Sequence, residues 1–269
     1  MKTENKISFV TSFSKRLYES DSQTIVDAVK YHYPSVDFYI YHENSFEMDK
    51  YKREIDLSLL ERDYVQLYDL FEENPWLSKF LQTSRFKDAH KIGTPGVYDP
   101  PAYWQRNGIY WFRKVVSVAS AIKLCETPLL VWVDCDVFFG QKEIKKADHH
   151  SDDYKRFDES LFEWLDSHHV SSIRRKGLHT ETGFVVYNLD KPETFDLVEN
   201  YLKFYTSGEV FTKSMWDDCT ALDCTTQKMK NTISFGGLTP DFGCPFDIHT
   251  YLGHYKRPLH KIRDKDAGI

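Results

Sequence analysis

Leu129-Leu130-Val131-Trp132-Val133-Asp134-Cys135-Asp136-Val137-Phe138-Phe139 is the stretch that decides the fold. Five consecutive apolar residues read as a strand buried on both faces, the kind found inside a parallel sheet. The run stops at two carboxylates, Asp134 and Asp136, spaced two positions apart. In a strand that continued through them, both side chains would point to one face. Two like charges so placed repel each other unless something neutralises them. A hard divalent cation such as Mn²⁺ or Mg²⁺ does so, and takes further ligands readily from phosphate oxygens. In open α/β sheets, ligands bind beyond the carboxyl ends of the strands. The triplet Asp134-Cys135-Asp136 is therefore expected to hold a metal ion and, with it, a diphosphate. The bland reading is a polar turn that merely ends a strand.

Upstream, Ile7 to Val10 reads as a strand ending at Thr11-Ser12. Ser22 to Tyr31 reads as a helix with Ile25, Val26 and Val29 on one face, stopped by Pro34, and Val36 to Tyr41 as a second strand. Strand, helix and strand in so short a span make a βαβ unit and favour a parallel sheet. Residues 57–82 carry Leu57, Leu60, Tyr64, Leu67, Leu70 and Phe71 at helical spacing, with Pro75 inside, so two helices or a kinked one are predicted there. A Gly-, Pro- and aromatic-rich loop over 93–108 leads into a helix over 109–124, which delivers the chain to the decisive strand. Downstream, 141–156 is a charged run read as a solvated loop. Phe157 to Leu165 reads as a short helix, Phe184 to Asn188 as a strand, Pro192 to Tyr205 as a helix, and 231–245 as turns. With no internal repeat and no linker, 1–269 reads as one α/β domain with a mainly parallel sheet flanked by helices.

Bulk composition narrows the function. The chain has 269 residues, with 35 basic and 41 acidic side chains giving a net charge of −6, so it lacks the basic footprint of a nucleic-acid binder. Five cysteines are scattered, and their odd count argues against a complete disulfide framework, which points to a reducing, cytoplasmic setting. No apolar run reaches the length of a membrane span, and the first residues lack the apolar region of a signal peptide. Aromatics at 16% suit either a core or a sugar pocket, with the core the commoner use.

Taken together, LLVWVDCDVFF and the preceding YWFRKVVSVASAIKLCETP resemble the Asp-x-Asp strand, and the helix before it, of the GT-A type of nucleotide-sugar-dependent glycosyltransferases. HTETGFVVYNLDKP, WDDCTALD and YLGHYKRP are similar to later segments of their glycogenin-like and galactosyltransferase-like members, in the same order along the chain. The resemblance implies a Rossmann-like GT-A fold, with a nucleotide-binding half over 1–140. An acceptor-binding half would follow over 141–269, its C-terminal segment closing as a lid. It also implies transfer of a sugar from a nucleotide diphosphate donor, UDP-linked by preference, to a hydroxyl of a glycan or other acceptor, and it leans towards retention at the anomeric carbon. Thr11, Ser12 and Phe13 would meet the base. Lys114 or Arg113 would meet the phosphates or brace an aspartate, and Lys114 is preferred because neighbours on a helix diverge by about 100°. Glu181 and Asp218 would line the sugar pocket, where carboxylates accept from hydroxyls; Asp218 could equally cap a helix. A histidine would complete the metal site. His254 is preferred over His249 and His260, with Lys256 on a phosphate, although the usual His-x-x-Gly-x-x-Lys-Pro-Trp pattern is not kept.

Two other classes share part of this pattern. A phosphatase of the haloacid dehalogenase type also ends an apolar strand in Asp-x-Asp and uses Mg²⁺, and Asp217-Asp218 could imitate its later acidic pair; that class opens with the triplet on its first strand, whereas here strands precede it. A sugar- or nucleotide-binding module that has lost catalysis would keep the same residues.

Overall fold

The computed structural model describes residues 6–13, 23–42, 65–69, 108–139 and 156–254. Strand β1 (Ile7–Phe13), helix α1 (Gln23–His32) and strand β2 (Phe38–His42) form the expected βαβ unit, with Phe9 beside Phe38 in a parallel ladder. Strand β3 (Val65–Asp69) adds parallel to β2. Helix α2 (Gly108–Ala121) leads to β4 (Leu129–Val133), which runs parallel to β1 on its other side. There follow β5 (Val137–Phe139), α3 (Glu159–Ser167), β6 (Val170–Ile173), β7 (Glu181–Asn188), α4 (Glu193–Thr206), α5 (Asp218–Lys228), β8 (Phe235–Gly237) and β9 (Leu252–His254).

Among the described residues, seven strands join in one sheet in the order β3-β2-β1-β4-β7-β6-β8. Among these, β7 runs against β4 and β6, and β8 runs parallel to β6. The fold is thus α/β with a mixed, mainly parallel sheet, as the sequence predicts. β5 and β9 pair separately as an antiparallel ribbon.

Strand alternation sorts the core into two layers. Leu130 and Trp132 of β4 pack with Val115 of α2, Tyr201 of α4 and Leu222 of α5. Leu129, Val131 and Val133 pack with Ile25 and Val29 of α1 and Leu161 and Leu165 of α3. Burying each such side chain contributes about 1.5–3 kcal/mol, and a strand covered on both faces explains the unbroken apolar run. The aromatic content fills this core: Phe139 lies 5.8 Å from Phe9 and 5.6 Å from Tyr33, ring centre to ring centre, and Phe157 closes the group at 5.6 Å from Tyr33.

Two expectations are corrected. Residues 65–69, read as helical from the spacing of Tyr64, Leu67 and Leu70, are strand β3. Val65 and Leu67 also stand two apart, as in a strand, and β2 supplies a parallel backbone partner from Phe38–Val65 to His42–Asp69. The rest of 57–82 lies outside the described residues, as do the loop over 93–107, most of the charged run over 141–156, and 255–269 with Lys256 and His260. Second, the Asp-x-Asp triplet does not continue its strand. β4 ends at Val133, and Val137 N–H donates to the Asp134 carbonyl at 3.0 Å, closing a turn. Both aspartates therefore sit in a turn, and the period-two argument for their common face does not apply.

Candidate functional site

β1 is flanked by β2 on one side and β4 on the other, so the order of connections reverses between β1 and β4. Such a switch point opens a crevice at the carboxyl ends of the strands. The Asp134 turn leaves β4 at that end. Because β7 is antiparallel, its start reaches the same edge: Val133 lies beside Phe184, and Asp134 N–H donates to the Gly183 carbonyl at 2.8 Å. β1 runs three residues past its last pair with β4, Val10 beside Trp132, so Thr11, Ser12 and Phe13 also end there. The Thr11 hydroxyl donates to the Val133 carbonyl at 2.8 Å, and the Phe13 ring belongs to the core.

Lys114 organises the edge. Its ammonium is buried, 2.9 Å from Asp134 Oδ1 and 2.6 Å from Asp218 Oδ2, and it donates to the Thr182 carbonyl at 2.5 Å. It also lies 4.9 Å from the centre of the Trp132 ring. The indole N–H of Trp132 donates to the same Asp134 Oδ1 at 2.6 Å. Burial alone would push the Lys114 pKa down; the charges of Asp134 and Asp218 and their hydrogen bonds outweigh it and hold the pKa above its ordinary value. The lysine stays charged and one oxygen of Asp134 is fixed by two donors. Arg113, one step around α2, is partly exposed and diverges from this cluster.

Asp218 is 2% exposed, and its Oδ2 also accepts from the Thr182 hydroxyl at 2.7 Å. Its position is behind Lys114 and not on an open pocket wall. Asp217 is the residue that caps α5, accepting from Thr220 N–H at 2.8 Å; the capping alternative raised for Asp218 belongs to its neighbour. Burial pushes the Cys219 thiol well up, with Asp218 and Asp217 adding to it, so this cysteine stays protonated and inert. Glu181 opens β7 across a β-bulge from Ile173 and pairs with Arg175 Nη1 at 3.1 Å.

The β5–β9 ribbon brings the C-terminal segment to the turn. Its register sets His254 opposite Val137, the residue after Asp136. His249 lies instead in the 3₁₀ turn Ile248–Thr250, where its N–H donates to Asp247 Oδ1 at 3.0 Å. Among the described residues no group of three or more His, Cys, Asp or Glu side chains is disposed to hold an ion. Two carboxylates on one turn, beside a strand that carries a histidine, are nonetheless residue types whose oxygen and imidazole donors suit Mn²⁺.

Thr182 and Trp132 are bracing residues that the sequence reading did not name. Trp132 was within reach of it, since it stands only two positions before Asp134 at the end of the apolar run. Thr182 was not, because its link to Lys114 runs through a backbone carbonyl. No disulfide forms among the described residues, and no described helix is long and apolar enough to cross a membrane.

No protein-family model matches the chain, and no curated protein is similar to it in sequence. In chain path it is similar to mouse xyloside xylosyltransferase 1 in its apo form, at a TM-score of 0.49 and 13% identity over 87% of this chain and 85% of that one. It is similar to the mannosyltransferase Ktr4p from S. cerevisiae in complex with GDP, at 0.49 and 12% over 82% and 67%. It is also similar to the glycosyltransferase GlyE of Streptococcus pneumoniae, at 0.48 and 10%, where it spans 61% of the longer chain.

Proposed function

We propose that this protein transfers a glycosyl group from a nucleoside diphosphate sugar, a UDP-sugar by preference, to a hydroxyl of a glycan or other acceptor. The observation that carries this reading is the Asp134-Cys135-Asp136 turn at the switch point of the sheet, with Asp134 held by the buried Lys114. Asp134, Asp136 and His254 would hold Mn²⁺ or Mg²⁺. When bound, such an ion supplies a Lewis acid that offsets the charge on a leaving diphosphate. Lys114 fixes the aspartate before the donor arrives, so little reorganisation is needed as charge develops. The backbone at the end of β1, from Thr11 to Phe13, would face the base, since the Phe13 ring and the Thr11 hydroxyl are committed elsewhere. Glu181, at the start of β7, would face the transferred sugar, and Asp218 would act through Lys114. Lys256 would reach a phosphate from the segment that follows β9.

Among the described residues, three strands precede the one that the triplet follows. A phosphatase of the haloacid dehalogenase type carries it on the first, which weighs against that class. A reducing, cytoplasmic setting and retention of anomeric configuration remain part of the proposal. The test is Asp136→Asn. It should abolish the Mn²⁺-dependent rise in melting temperature that a UDP-sugar gives the wild type, and the slow hydrolysis of that donor with it. Hydrolysis of p-nitrophenyl phosphate by the wild type, without any response to UDP-sugars, would overturn the reading.

A further inference from the structure

A second cleft lies on the same edge of the sheet, beyond β6. A cleft of about 700 Å³ opens between the β6–β7 connection and α5, a volume ordinary for a small-ligand pocket. Five cationic side chains line it, Arg174, Arg175, Lys176, Lys213 and Lys228, against the carboxylates of Glu209 and Asp223. Those two acids are already engaged. Glu209 pairs with Lys228, and Asp223 accepts from the Thr180 hydroxyl at 2.5 Å and contacts His179 Nδ1 at 3.0 Å. Arg175 is held by Glu181. Among the described residues no carboxylate pairs with Arg174, Lys176 or Lys213, so three cations face one cleft in a chain whose net charge is −6.

Arg174 is set in place for binding. Its guanidinium sits 5.1 Å from the centre of the Phe235 ring and 5.2 Å from that of Phe242, so its plane is held by two aromatic neighbours while its donors stay accessible. Leu178 and Phe242 add apolar surface to the same walls, of the kind on which the C–H face of a sugar ring lies. The position is equally specific. Arg174 follows the end of β6, which is two strands from β4 in the sheet, roughly 10 Å from the Asp134 turn along its edge. The Thr180 wall runs on into Thr182, which contacts Lys114, and the α5 wall runs back to Asp218.

We propose that this cleft binds an anionic group, a phosphate or a carboxylate, carried by the saccharide acceptor, with Arg174, Lys176 and Lys213 as its partners. That it serves the acceptor rests on the glycosyl-transfer reading; that it binds an acidic saccharide does not. The experiment is therefore run without nucleotide. Fluorescence polarisation would compare labelled tetragalacturonate and mannose 6-phosphate, which separate carboxylate from phosphate, with uncharged maltotetraose. At least one acidic probe should bind at least about tenfold more tightly than maltotetraose. The Arg174→Gln/Lys213→Gln double variant should lose that preference while keeping its affinity for UDP with Mn²⁺. Lys176→Gln, at an exposed position, should lose part of it and guards against a double variant that fails to fold. Equal binding of acidic and neutral probes overturns the proposal, as does an unchanged preference in the folded variants. Weakened UDP binding in the double variant would hand the cleft to the donor and also overturn it. A wild type that binds the acidic probe but never binds UDP would instead reject the glycosyl-transfer reading and leave the cleft standing.

Discussion

Taking an ammonium out of water costs several kcal/mol unless carboxylates surround it, and Lys114 has two within 2.9 Å. The same arithmetic makes Asp218 dependent on Lys114, because its own carboxylate is just as buried. Lys114→Met should therefore lower stability by about 3–5 kcal/mol in urea unfolding, since it leaves a buried charge uncompensated. A loss below about 1 kcal/mol would show that the cluster is not the strut described above. Asp217 behaves differently. Burial raises its pKa above the ordinary 3.8, with the Asp218 charge adding to the rise and its bonds to Thr220 working against it. The folded state then holds a proton that the unfolded chain releases, so stability falls as pH climbs from near 3.8 through the raised value. Asp217→Asn keeps the capping oxygen and should remove that fall; Asp217→Ala should remove it too, and lie about 1 kcal/mol below the Asn variant at every pH because the cap is lost. Thermal melts across pH 3 to 7 would separate the three proteins. At this scale the sequence displayed the acidic triplet and, through the helix before it, Lys114. It did not display the pairing of Lys114 with Asp218, because no periodic spacing links residues on two different helices.

Elements show the same division. β4 was legible because a strand covered on both faces has to be apolar throughout. β6 was not, since its sequence VSSI places serines at buried positions. Ser172 Oγ donates to the Phe184 and Glu181 carbonyls, so the fold tolerates a hydroxyl that hydropathy counts against a strand. β3 was misread because five residues fit either period, and β2 decided between them. The metal role proposed for His254 depends on the register of the β5–β9 ribbon. An alanine inserted between Leu252 and Gly253 would move His254 out of register with Val137 while leaving Leu252 and Tyr251 in the core. Mn²⁺ affinity in the presence of UDP, measured by titration calorimetry, should drop at least about tenfold with little change in the unfolding midpoint. Unchanged affinity would remove His254 from the metal site.

For the molecule as a whole, the sheet carries two clefts' worth of chemistry on one edge, the acidic turn on β4 and the cationic walls beyond β6. An acidic chain needs such local reversals of sign to attract phosphate-bearing ligands. The segment after β9 bears Lys256, His260, Lys261 and Arg263 and lies outside the described residues. Its contribution can be isolated by ending the chain after His254, which keeps the ribbon; a cut at residue 250 would also remove the buried Tyr251 and Leu252. The shortened protein should retain its fold by circular dichroism and lose at least about tenfold in affinity for UDP. Equal affinity would mean that the segment does not close over the diphosphate.

Lys114 has one more consequence, for chemical labelling. A primary amine reacts with acylating reagents only when deprotonated and accessible, and here it is neither, being buried and held charged by two aspartates. Exposed lysines such as Lys203 would be modified within the first moments of treatment, while Lys114 would wait until helix α2 separates from the sheet. The extent of its acylation, read by peptide mass spectrometry over hours, is then a clock for opening of the core at a single known position. Ligands that bind at the Asp134 turn would slow that clock, and so could be found without knowing what reaction they undergo.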